Sequence, residues 1–459
     1  MTARAFPLDP EFPQLAQASD PRRMLDVFRA RLRPIGRRTF HIEACVPFRF
    51  RCRQSTTRCV LQYALHLVDQ DTGRRRHQWV TGLVYAGRGE AERLWHTLRG
   101  DDPRQGIPER WLTFEPVAFI PDLEMVVEVF PFDRRLPNLA QVLEEAARRV
   151  DPLLRGRLGP GRWRVLDRGL EPTRYRTELG AALRYTLLAQ DARTGRTEEV
   201  VWYLKVYRDD RGAATWRVLQ TFHDRARRRP APFAVVAPIE YWRDLHTLVL
   251  EQAPGMPLQR VLLQTDDPET TLRVAARAVA AFNQDHRGII TRRQTLADQL
   301  DDLRLAAALV QWARPDLRAK AEAIRDAVVY GLTDVPPVPI HGDLKADHIF
   351  LAPGLVTFID LDSAALGDPV RDPAHLYAYL AAGVGLDTMP LTWSLSAATV
   401  FAAEYFQHVP ASWRSRFALH AAGALLEVAS GVFRRQAPGW RDQVARIVAL
   451  ADRIRSDGR

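Results

Sequence analysis

Lysine is scarce in this chain of 459 residues. The chain has three lysines, Lys205, Lys320 and Lys345, and 62 arginines. A lysine at a given position is therefore evidence that the position requires lysine and not just a positive charge. The net charge is +10, but arginine carries nearly all of the basic charge and no ladder of basic and aromatic residues accompanies it. We therefore expect no nucleic-acid partner.

Cysteine is also scarce. Cys45, Cys52 and Cys59 are seven residues apart, are odd in number and form no Cys-x-x-Cys pair. This spacing fits neither a disulfide framework nor a zinc site. We expect reduced cysteines that pack as small, partly buried apolar side chains.

Long apolar runs are missing as well. The N-terminus has no apolar stretch of the signal-peptide type, and the most apolar segments, around 375–391 and 417–433, are interrupted by His, Asp or Glu. We expect a cytoplasmic protein without membrane contact. The 46% of apolar and 26% of charged residues are typical of globular proteins and exclude disordered and fibrous classes.

An internal repeat occupies the first half of the chain. Residues 60–85 align with residues 182–207 at a constant offset, and the turn that starts at Asp69 (Asp-x-x-Thr-Gly-Arg) matches the turn that starts at Asp191. Shorter matches precede and follow this segment in the same order. Collinear matches of this kind predict a tandem duplication.

Each copy is predicted to be an α+β lobe of strands, a helix and a final hairpin, because alternating apolar runs flank the Gly-containing turn. The predicted opening helices cover 21–32 and 138–154, the inner helices 89–98 and 212–223, and the final hairpins 113–130 and 233–253.

The chain becomes mainly helical from about residue 258. Apolar spacing and Ala, Leu and Arg content predict helices over 258–264, 267–285, 293–331, 371–383, 391–407 and 412–455. A polar insert at 338–376 interrupts them with short strands and loops rich in acids and glycine.

The insert holds the candidate chemistry. Asp343 follows an apolar stretch, and Asp360 ends a second one, so two carboxylates at the ends of adjacent short strands can converge. Oxygen ligands of this kind suit a divalent cation that bridges phosphates. Lys345 adds a cation, and the set is typical of a phosphoryl-transfer centre.

These residues carry a family resemblance. The segment His341-Gly-Asp343-Leu-Lys345-Ala-Asp-His348 resembles the catalytic loop of the aminoglycoside phosphotransferase/choline kinase group. Phe358-Ile-Asp360-Leu-Asp is similar to that group's metal-binding segment. The resemblance implies that Asp343 is the catalytic base, that Lys345 contacts the γ-phosphate, and that Asp360 binds the metal. Asp372 is expected to be structural, capping a helix or holding the loop.

The resemblance also implies a protein-kinase-like α+β fold with two lobes, a small antiparallel-sheet lobe and a mainly helical large lobe. Residues 137–255 would form the nucleotide-binding small lobe, and residues 256–459 the large lobe. Residues 1–136 would be an N-terminal helix and a degenerate second copy of the small lobe.

Residues of the small lobe would then bind ATP. Lys205 lies on an apolar strand where the family places a phosphate-clamping lysine, and Gly180 lies in the loop that would cover the phosphates. The hinge that pairs with adenine would be the segment formed by Glu251, Gln252 and Ala253.

The first copy has Leu83 where the second has Lys205. It therefore cannot clamp phosphate in the same way. Two interpretations stay open: a degenerate duplicate that stabilises the neighbouring lobe, or a surface that regulates the enzyme or gates the acceptor.

The resemblance implies a kinase that uses ATP and Mg²⁺ to phosphorylate a hydroxyl group of a small molecule. Three departures support an alternative, a catalytically weak or inactive pseudokinase that acts as a nucleotide-tuned binding or regulatory module. His348 replaces the family's usual Asn as second metal ligand, so that it binds the metal through water, Mn²⁺ is favoured as the ion, or metal affinity is lowered. The helix after Lys205 offers no glutamate partner, and the loop that would cover the phosphates is poor in glycine.

Overall fold

The computed structural model describes residues 6–36, 39–52, 58–228 and 231–457. Its contacts divide the chain into two units. The first comprises Met1–Ala213, Ile239–Leu250 and Arg434–Ala437, and the second comprises Ala214–Pro238, Glu251–Phe433 and Pro438–Arg459. The predicted domain boundaries after residues 136 and 255 remain predictions.

The first unit begins with two helices and a five-stranded antiparallel sheet with the strand order β1-β2-β3-β5-β4. Helix α2 starts at Pro21 because the Asp20 side chain caps it, and its Phe28 packs edge-on against Tyr63 at a centroid distance of 5.1 Å. The elements are α1 (Leu15–Ala18), α2 (Pro21–Arg31), β1 (Phe40–Cys52), β2 (Arg58–Asp69), β3 (Arg75–Tyr85), α3 (Glu90–Gly100), β4 (Val117–Ile120) and β5 (Met125–Val129).

A second sheet follows with the corresponding strand order, β6-β7-β8-β11-β10. Helix α4 covers one face of it with an apolar stripe that includes Leu139, Val142 and Ala146, against Leu183 and Trp202. The elements are α4 (Asn138–Val150), α5 (Leu154–Leu158), β6 (Trp163–Arg176), β7 (Gly180–Asp191), β8 (Thr197–Tyr207), α6 (Arg211–Arg228), β9 (Ala234–Val235), β10 (Pro238–Trp242) and β11 (Thr247–Glu251). Helix α6 starts in the first unit and continues in the second, and β9 belongs to the second unit.

The two sheets agree in detail as well as in order. Strands β1 and β6 each contain two register shifts. In each strand the first shift lies near its start and the second lies next to a proline, which is Pro47 in β1 and Pro172 in β6. In both β-turns an aspartate side chain, Asp69 or Asp191, accepts backbone N–H groups of the turn. These matches support the duplication, which remains a hypothesis.

The sheets differ on the face where the sequence places Lys205. In the first sheet Leu83 is fully buried in an apolar cluster with Val60 and Val126 of the sheet and Leu98 of α3. In the second sheet Lys205 is half-buried, and its ammonium lies 5.6 Å from the centre of the Tyr207 ring. On this face, apolar side chains therefore occupy in the first sheet the position that a lysine occupies in the second.

The expectation of three reduced cysteines is wrong for two of them. Cys52 and Cys59 face each other in the β1–β2 register, their Cα atoms are 4.5 Å apart, and they form a disulfide. The sequence pattern missed the pair because directly opposed positions depend on the register and not on spacing along the chain. Cys45 is free and buried, and burial raises the pKa of its thiol to about 12.

The second unit is mainly helical, with two small sheets that pair in the orders β12-β14-β15-β9 and β13-β16. The antiparallel sheets and the helical unit confirm the predicted α+β class. The remaining elements are β12 (Met256–Pro257), α7 (Leu258–Leu262), α8 (Pro268–Asn283), α9 (Leu296–Ala313), α10 (Arg318–Gly331), β13 (Val338–Ile340), β14 (Ile349–Ala352), β15 (Leu355–Phe358), β16 (Ala365–Gly367), α11 (Arg371–Ala381), α12 (Leu391–Tyr405), α13 (Phe417–Arg435) and α14 (Trp440–Asp457).

Two predicted helical stretches are each divided in the structure. The stretch 293–331 starts only at Leu296, where Thr295 and Asp298 form a capping box, and it breaks at Pro315, which has no N–H to donate. The stretch 412–455 breaks between α13 and α14, where Gln436 and Gly439 adopt positive φ. Apolar periodicity continued across both breaks, so the sequence pattern merged the helices.

Among the described residues, one helix, Ala411–Arg435, is long and apolar enough to cross a membrane. Its apolar window is 67% buried inside the protein, as in a core helix.

A buried ion-pair network fixes the N-terminal end of α11. Asp368 accepts the N–H of Val370 at 3.0 Å, is paired with Arg416, and lies 3.1 Å from Nε2 of His420. Burial opposes ionisation of Asp368, but the bonds from His420, Val370 and Arg416 lower its pKa to about 2.

We expect Asp368→Asn to lower the free energy of unfolding by about 2 kcal/mol at pH 7, since each unit of pKa shift is worth about 1.4 kcal/mol. A lowered folded-state pKa stabilises the protein above the unfolded pKa, and this stabilisation is lost as the pH falls through the folded pKa. The difference between wild type and variant should therefore shrink from about pH 4 toward pH 2 in urea titrations. Asp387→Asn, at an exposed position, is the control; equal midpoints for wild type and Asp368→Asn at pH 7 would contradict the prediction.

Candidate phosphoryl-transfer site

The loop after β13 carries the first predicted catalytic residues. It runs from His341 to Lys345, and the buried carboxylate of Asp372 holds its backbone by accepting the N–H of His341 at 2.7 Å and that of Gly342 at 3.0 Å. Asn283 donates to the same carboxylate at 2.9 Å. Asp372 therefore holds the loop, which is one of the two structural roles that the resemblance implied for it.

Gly342 is required by this arrangement. Its φ is +79°, and a Cβ would collide with the carbonyl oxygen of Ser363. Only glycine combines this backbone conformation with such a close approach.

A short hairpin brings the second carboxylate to the first loop. Strands β14 and β15 pair from Ile349 with Phe358, and the N–H of Ile359 donates to the carbonyl of His348 at 3.0 Å. His348 precedes β14 and Asp360 follows β15, at the end of the hairpin opposite its turn. The two side chains therefore lie side by side, with Nε2 of His348 3.5 Å from Oδ2 of Asp360. Asp360 adopts a left-handed φ of +61°, which is uncommon for a non-glycine residue and is found at constrained functional positions.

The structure brings four of the predicted residues together. Ligand atoms of Asp343, His348 and Asp360 all lie within 4.8 Å of one another, and Nζ of Lys345 donates to Oδ2 of Asp343 at 2.8 Å. Burial opposes ionisation of Asp343, but Lys345 and the neighbouring histidines outweigh it and lower its pKa.

The hydrogen bonding of His348 suits a metal ligand. Its Nδ1 lies 2.9 Å from the carbonyl oxygen of Asp343, which can only accept, so Nδ1 carries the hydrogen and Nε2 presents its lone pair toward Asp360. Burial, the largest effect, lowers the pKa of the imidazole and keeps it neutral. Two carboxylates and one neutral imidazole nitrogen are a donor set that fits a divalent cation.

Several supporting residues were not predicted from the sequence. His375 donates through Nδ1 to the carbonyl of Leu344 at 2.8 Å, and burial lowers its pKa to about 4. The Tyr405 hydroxyl donates to the side chain of Asn283 at 3.0 Å. These residues come from three different helices, so no local motif signals them.

The predicted nucleotide-binding residues are divided between the two units. Lys205 on β8 pairs with Ala182, and Gly180 starts β7, where a Cβ would lie 2.6 Å from the carbonyl oxygen of Val206. Both belong to the first unit. Glu251, Gln252 and Ala253 belong to the second unit, as do all of the predicted catalytic and metal-binding residues.

The predicted hinge segment is fixed at both ends within the second unit. The N–H of Glu251 donates to the carbonyl of Ala237 at 3.0 Å, and Ala253 is buried. After it, Gly255 has a φ of +83°, and a Cβ there would collide with the carbonyl oxygen of Leu351 on β14. The chain directly after the hinge segment is thus packed against the hairpin that carries His348 and Asp360.

The sequence of residues 162–405 matches the profile of the Phosphotransferase enzyme family. This match spans more than half of the chain and contains the whole site. The chain belongs to the phosphotransferase enzyme family. The resemblance noted in the sequence is thereby confirmed at the level of the family, while the roles of individual residues stay predictions. No protein of curated function matches the sequence significantly.

Solved structures of small-molecule kinases are loosely similar to this phosphotransferase. Choline kinase LicA from Streptococcus pneumoniae is 13% identical with a TM-score of 0.43, covering 69% of this chain and 99% of its own. Aminoglycoside phosphotransferase APH(3'')-Id from Streptomyces rimosus, in complex with ADP and streptomycin, is 21% identical with a TM-score of 0.36, covering 61% of this chain and 98% of its own. The family assignment depends on the sequence match and not on these scores.

The close approach at Gly342 predicts a strong substitution effect. Gly354, in the β14–β15 turn, has a similar φ of +70° but has no neighbour within 4 Å of its Cβ position. Gly354→Ala should cost about 1 kcal/mol of stability for the left-handed backbone alone. Gly342→Ala should cost about 2 kcal/mol more, because the methyl group overpacks against Ser363. Chemical denaturation of both variants tests this. An equal decrease in the free energy of unfolding would show that the loop accommodates the methyl group and would contradict the prediction.

Proposed function

We propose that this phosphotransferase is an ATP-dependent kinase that transfers the γ-phosphoryl group to a hydroxyl of a small molecule. The observation that carries the proposal is the convergence of Asp343, His348 and Asp360, with Lys345 bonded to Asp343. Phosphoryl transfer needs such a set, because the protein mainly positions groups and balances charge.

Asp343 is the proposed base. Its lowered pKa keeps the carboxylate ionised, so it can orient the acceptor hydroxyl and accept its proton as the new oxygen–phosphorus bond forms and the bond to the β-phosphate oxygen breaks. Lys345, already within hydrogen-bond distance of Asp343, would place its charge beside the transferred group. Lys205 would hold phosphate oxygens, Gly180 would let the backbone approach them, and Glu251–Ala253 would contact the adenine.

Asp360 and His348 would hold the divalent cation, which would supply positive charge to offset that of the phosphates when bound. Carboxylate oxygens suit Mg²⁺, whereas the imidazole nitrogen shifts the preference toward Mn²⁺. We therefore expect both ions to support nucleotide binding, with Mn²⁺ the more effective.

The acceptor is a small molecule with a hydroxyl group, and we place the reaction in the cytoplasm. Related phosphotransferases of solved structure are named as kinases of choline and as aminoglycoside phosphotransferases, and these compounds are the first acceptors to screen. ATP turnover with one acceptor class and not the others would define the substrate.

The decisive experiment is thermal unfolding with ATP and either Mg²⁺ or Mn²⁺. A ligand at about 100-fold its Kd stabilises the folded state by about 2.7 kcal/mol, a shift of a few degrees. We expect this shift in the wild type, its loss in Asp360→Asn, and its retention in Asp343→Asn, which should bind nucleotide without turnover. Asp387→Asn is the matched control. Absence of a shift with either metal ion would overturn the proposal, and binding without turnover in the wild type would replace it with the pseudokinase interpretation.

A second prediction uses the scarcity of lysine. Lys205→Met should weaken ATP binding about 10- to 100-fold, because a charged hydrogen bond is worth about 1.5–3 kcal/mol. Lys320→Met, at an exposed position on α10, removes the same charge elsewhere and should leave the affinity unchanged. Calorimetric titration of both variants checks this, and equal affinities would remove Lys205 from the nucleotide site.

A further inference from the structure

The turn between β6 and β7 is buried at its tip. This turn is where the sequence places the loop over the phosphates, and such loops are commonly exposed, mobile and rich in glycine. Here Thr177 and Glu178 are each only 3% exposed, and Glu178 adopts a left-handed φ of +65°. A charged residue in a strained backbone conformation at a buried turn needs specific partners.

Arginines of the first repeat surround the Glu178 carboxylate. Its Oε2 lies 2.6 Å from Arg51 of β1, and its Oε1 lies 2.7 Å from Arg58 of β2 and 3.2 Å from Arg134. Arg135 approaches Oε1 at 3.6 Å. The side chains of Arg51, Arg58 and Arg134 are themselves at most 26% exposed, so solvent screens these pairs only weakly.

The backbone of the turn is bonded to the first repeat as well. The N–H of Glu178 donates to Oδ2 of Asp133 at 2.7 Å, and the Tyr175 hydroxyl donates to the same oxygen at 2.9 Å. The hydroxyls of Thr177 and Thr81 are 2.6 Å apart. The turn is therefore held through the backbone and the carboxylate of Glu178 and through the side chains of Tyr175 and Thr177.

Aromatic packing ties the end of β6 to the first sheet at the same place. The ring of Tyr175 stacks on Trp79 of β3 at 6.1 Å and meets Phe130 edge-on at 5.0 Å. Aromatic contact at Tyr175, a hydroxyl contact at Thr177 and ion pairing at Glu178 thus act together within four residues of the chain.

The held turn is continuous with the strand that faces Lys205. In the β7–β8 ladder Gly180 pairs with Tyr207, and Ala182 pairs with Lys205, two residues further along. The backbone hydrogen bonds between β7 and β8 keep neighbouring residues at a constant distance over so short a stretch. Contacts that fix Glu178 therefore also fix the position of the turn relative to Lys205.

We infer that the first repeat serves as a positioning module that pre-orders the β6–β7 turn of the nucleotide lobe, with Glu178 as the positioning residue. The effect on nucleotide binding rests on the proposed function, whereas the immobilisation of the turn does not. A glycine-rich loop must be ordered when nucleotide binds, at a cost in entropy. Here the arginines and Asp133 of the first repeat have ordered the turn beforehand. This assigns a role to the repeat that lacks the lysine.

Glu178→Gln tests the inference through two measurements on the full-length protein. It removes the charge that the arginines bind while keeping the side-chain length. Amide hydrogen exchange over residues 176–181 should be slow in the wild type without nucleotide and at least about tenfold faster in the variant. The Kd for ADP with Mn²⁺ should rise about tenfold, as expected if the turn occupies its competent arrangement about one tenth of the time. Glu198→Gln, which changes a surface pair with Arg196 on the same sheet, should change neither.

Three outcomes separate the possibilities. Faster exchange with weaker ADP binding supports the inference. A lower melting temperature with unchanged exchange and unchanged Kd would mean that Glu178 is merely structural and would overturn it. If the wild type binds no nucleotide, the proposed function fails, and the exchange measurement alone decides whether the repeat holds the turn.

A second variant covers the case in which Glu178→Gln fails to fold. Thr81→Val removes one uncharged partner of the turn and must still speed exchange at residues 176–181. Unchanged exchange in this variant would overturn the inference.

Discussion

The buried carboxylate of Asp372 accepts two consecutive peptide N–H groups, and the candidate site depends on this bonding. The N–H groups of the buried His341 and the part-buried Gly342 would otherwise have no partners in a turn that regular secondary structure cannot satisfy. With the loop held, Asp343 and Lys345 have a defined position from which to meet Asp360. The carboxylate is in turn bonded to Asn283, which Tyr405 orients, so two core helices support one loop.

The two similar sheets illustrate how one architecture can take different tasks. In the second sheet a half-buried lysine remains on the face opposite α4, whereas in the first sheet Leu83 and its apolar neighbours fill the corresponding space and commit that face to core packing. Charged residues of the first sheet lie instead at its contact with the β6–β7 turn. Arg51 and Arg58 of the first sheet thus supply counter-charges to the Glu178 carboxylate in the turn of the second.

One imidazole ring stands among the donor groups of the candidate metal site. An Asn at position 348 would offer an amide oxygen, but His348 offers a nitrogen whose tautomer is set by the Asp343 carbonyl. That bond presents the lone pair of Nε2 beside the Asp360 carboxylate. The proposed role of His348 as a metal ligand is compatible with this arrangement, and an imidazole nitrogen would favour a softer ion than an amide oxygen does.

The α+β class, the family and the structural role of Asp372 could be predicted from the sequence, because these depend on local apolar pattern and on short motifs, whereas the chemical roles of the residues in both site loops stay predictions. The tertiary structure decided what depends on residues far apart in the chain: the Cys52–Cys59 pair, the support from Asn283 and His375, and the arginines around Glu178. The helix breaks at Pro315 and near Gly439 were missed for another reason: proline and glycine are local stop signals, but apolar periodicity continues across both and outweighed them in the prediction. Register and long-range packing are not encoded in any local pattern, so only the folded chain shows which distant side chains meet.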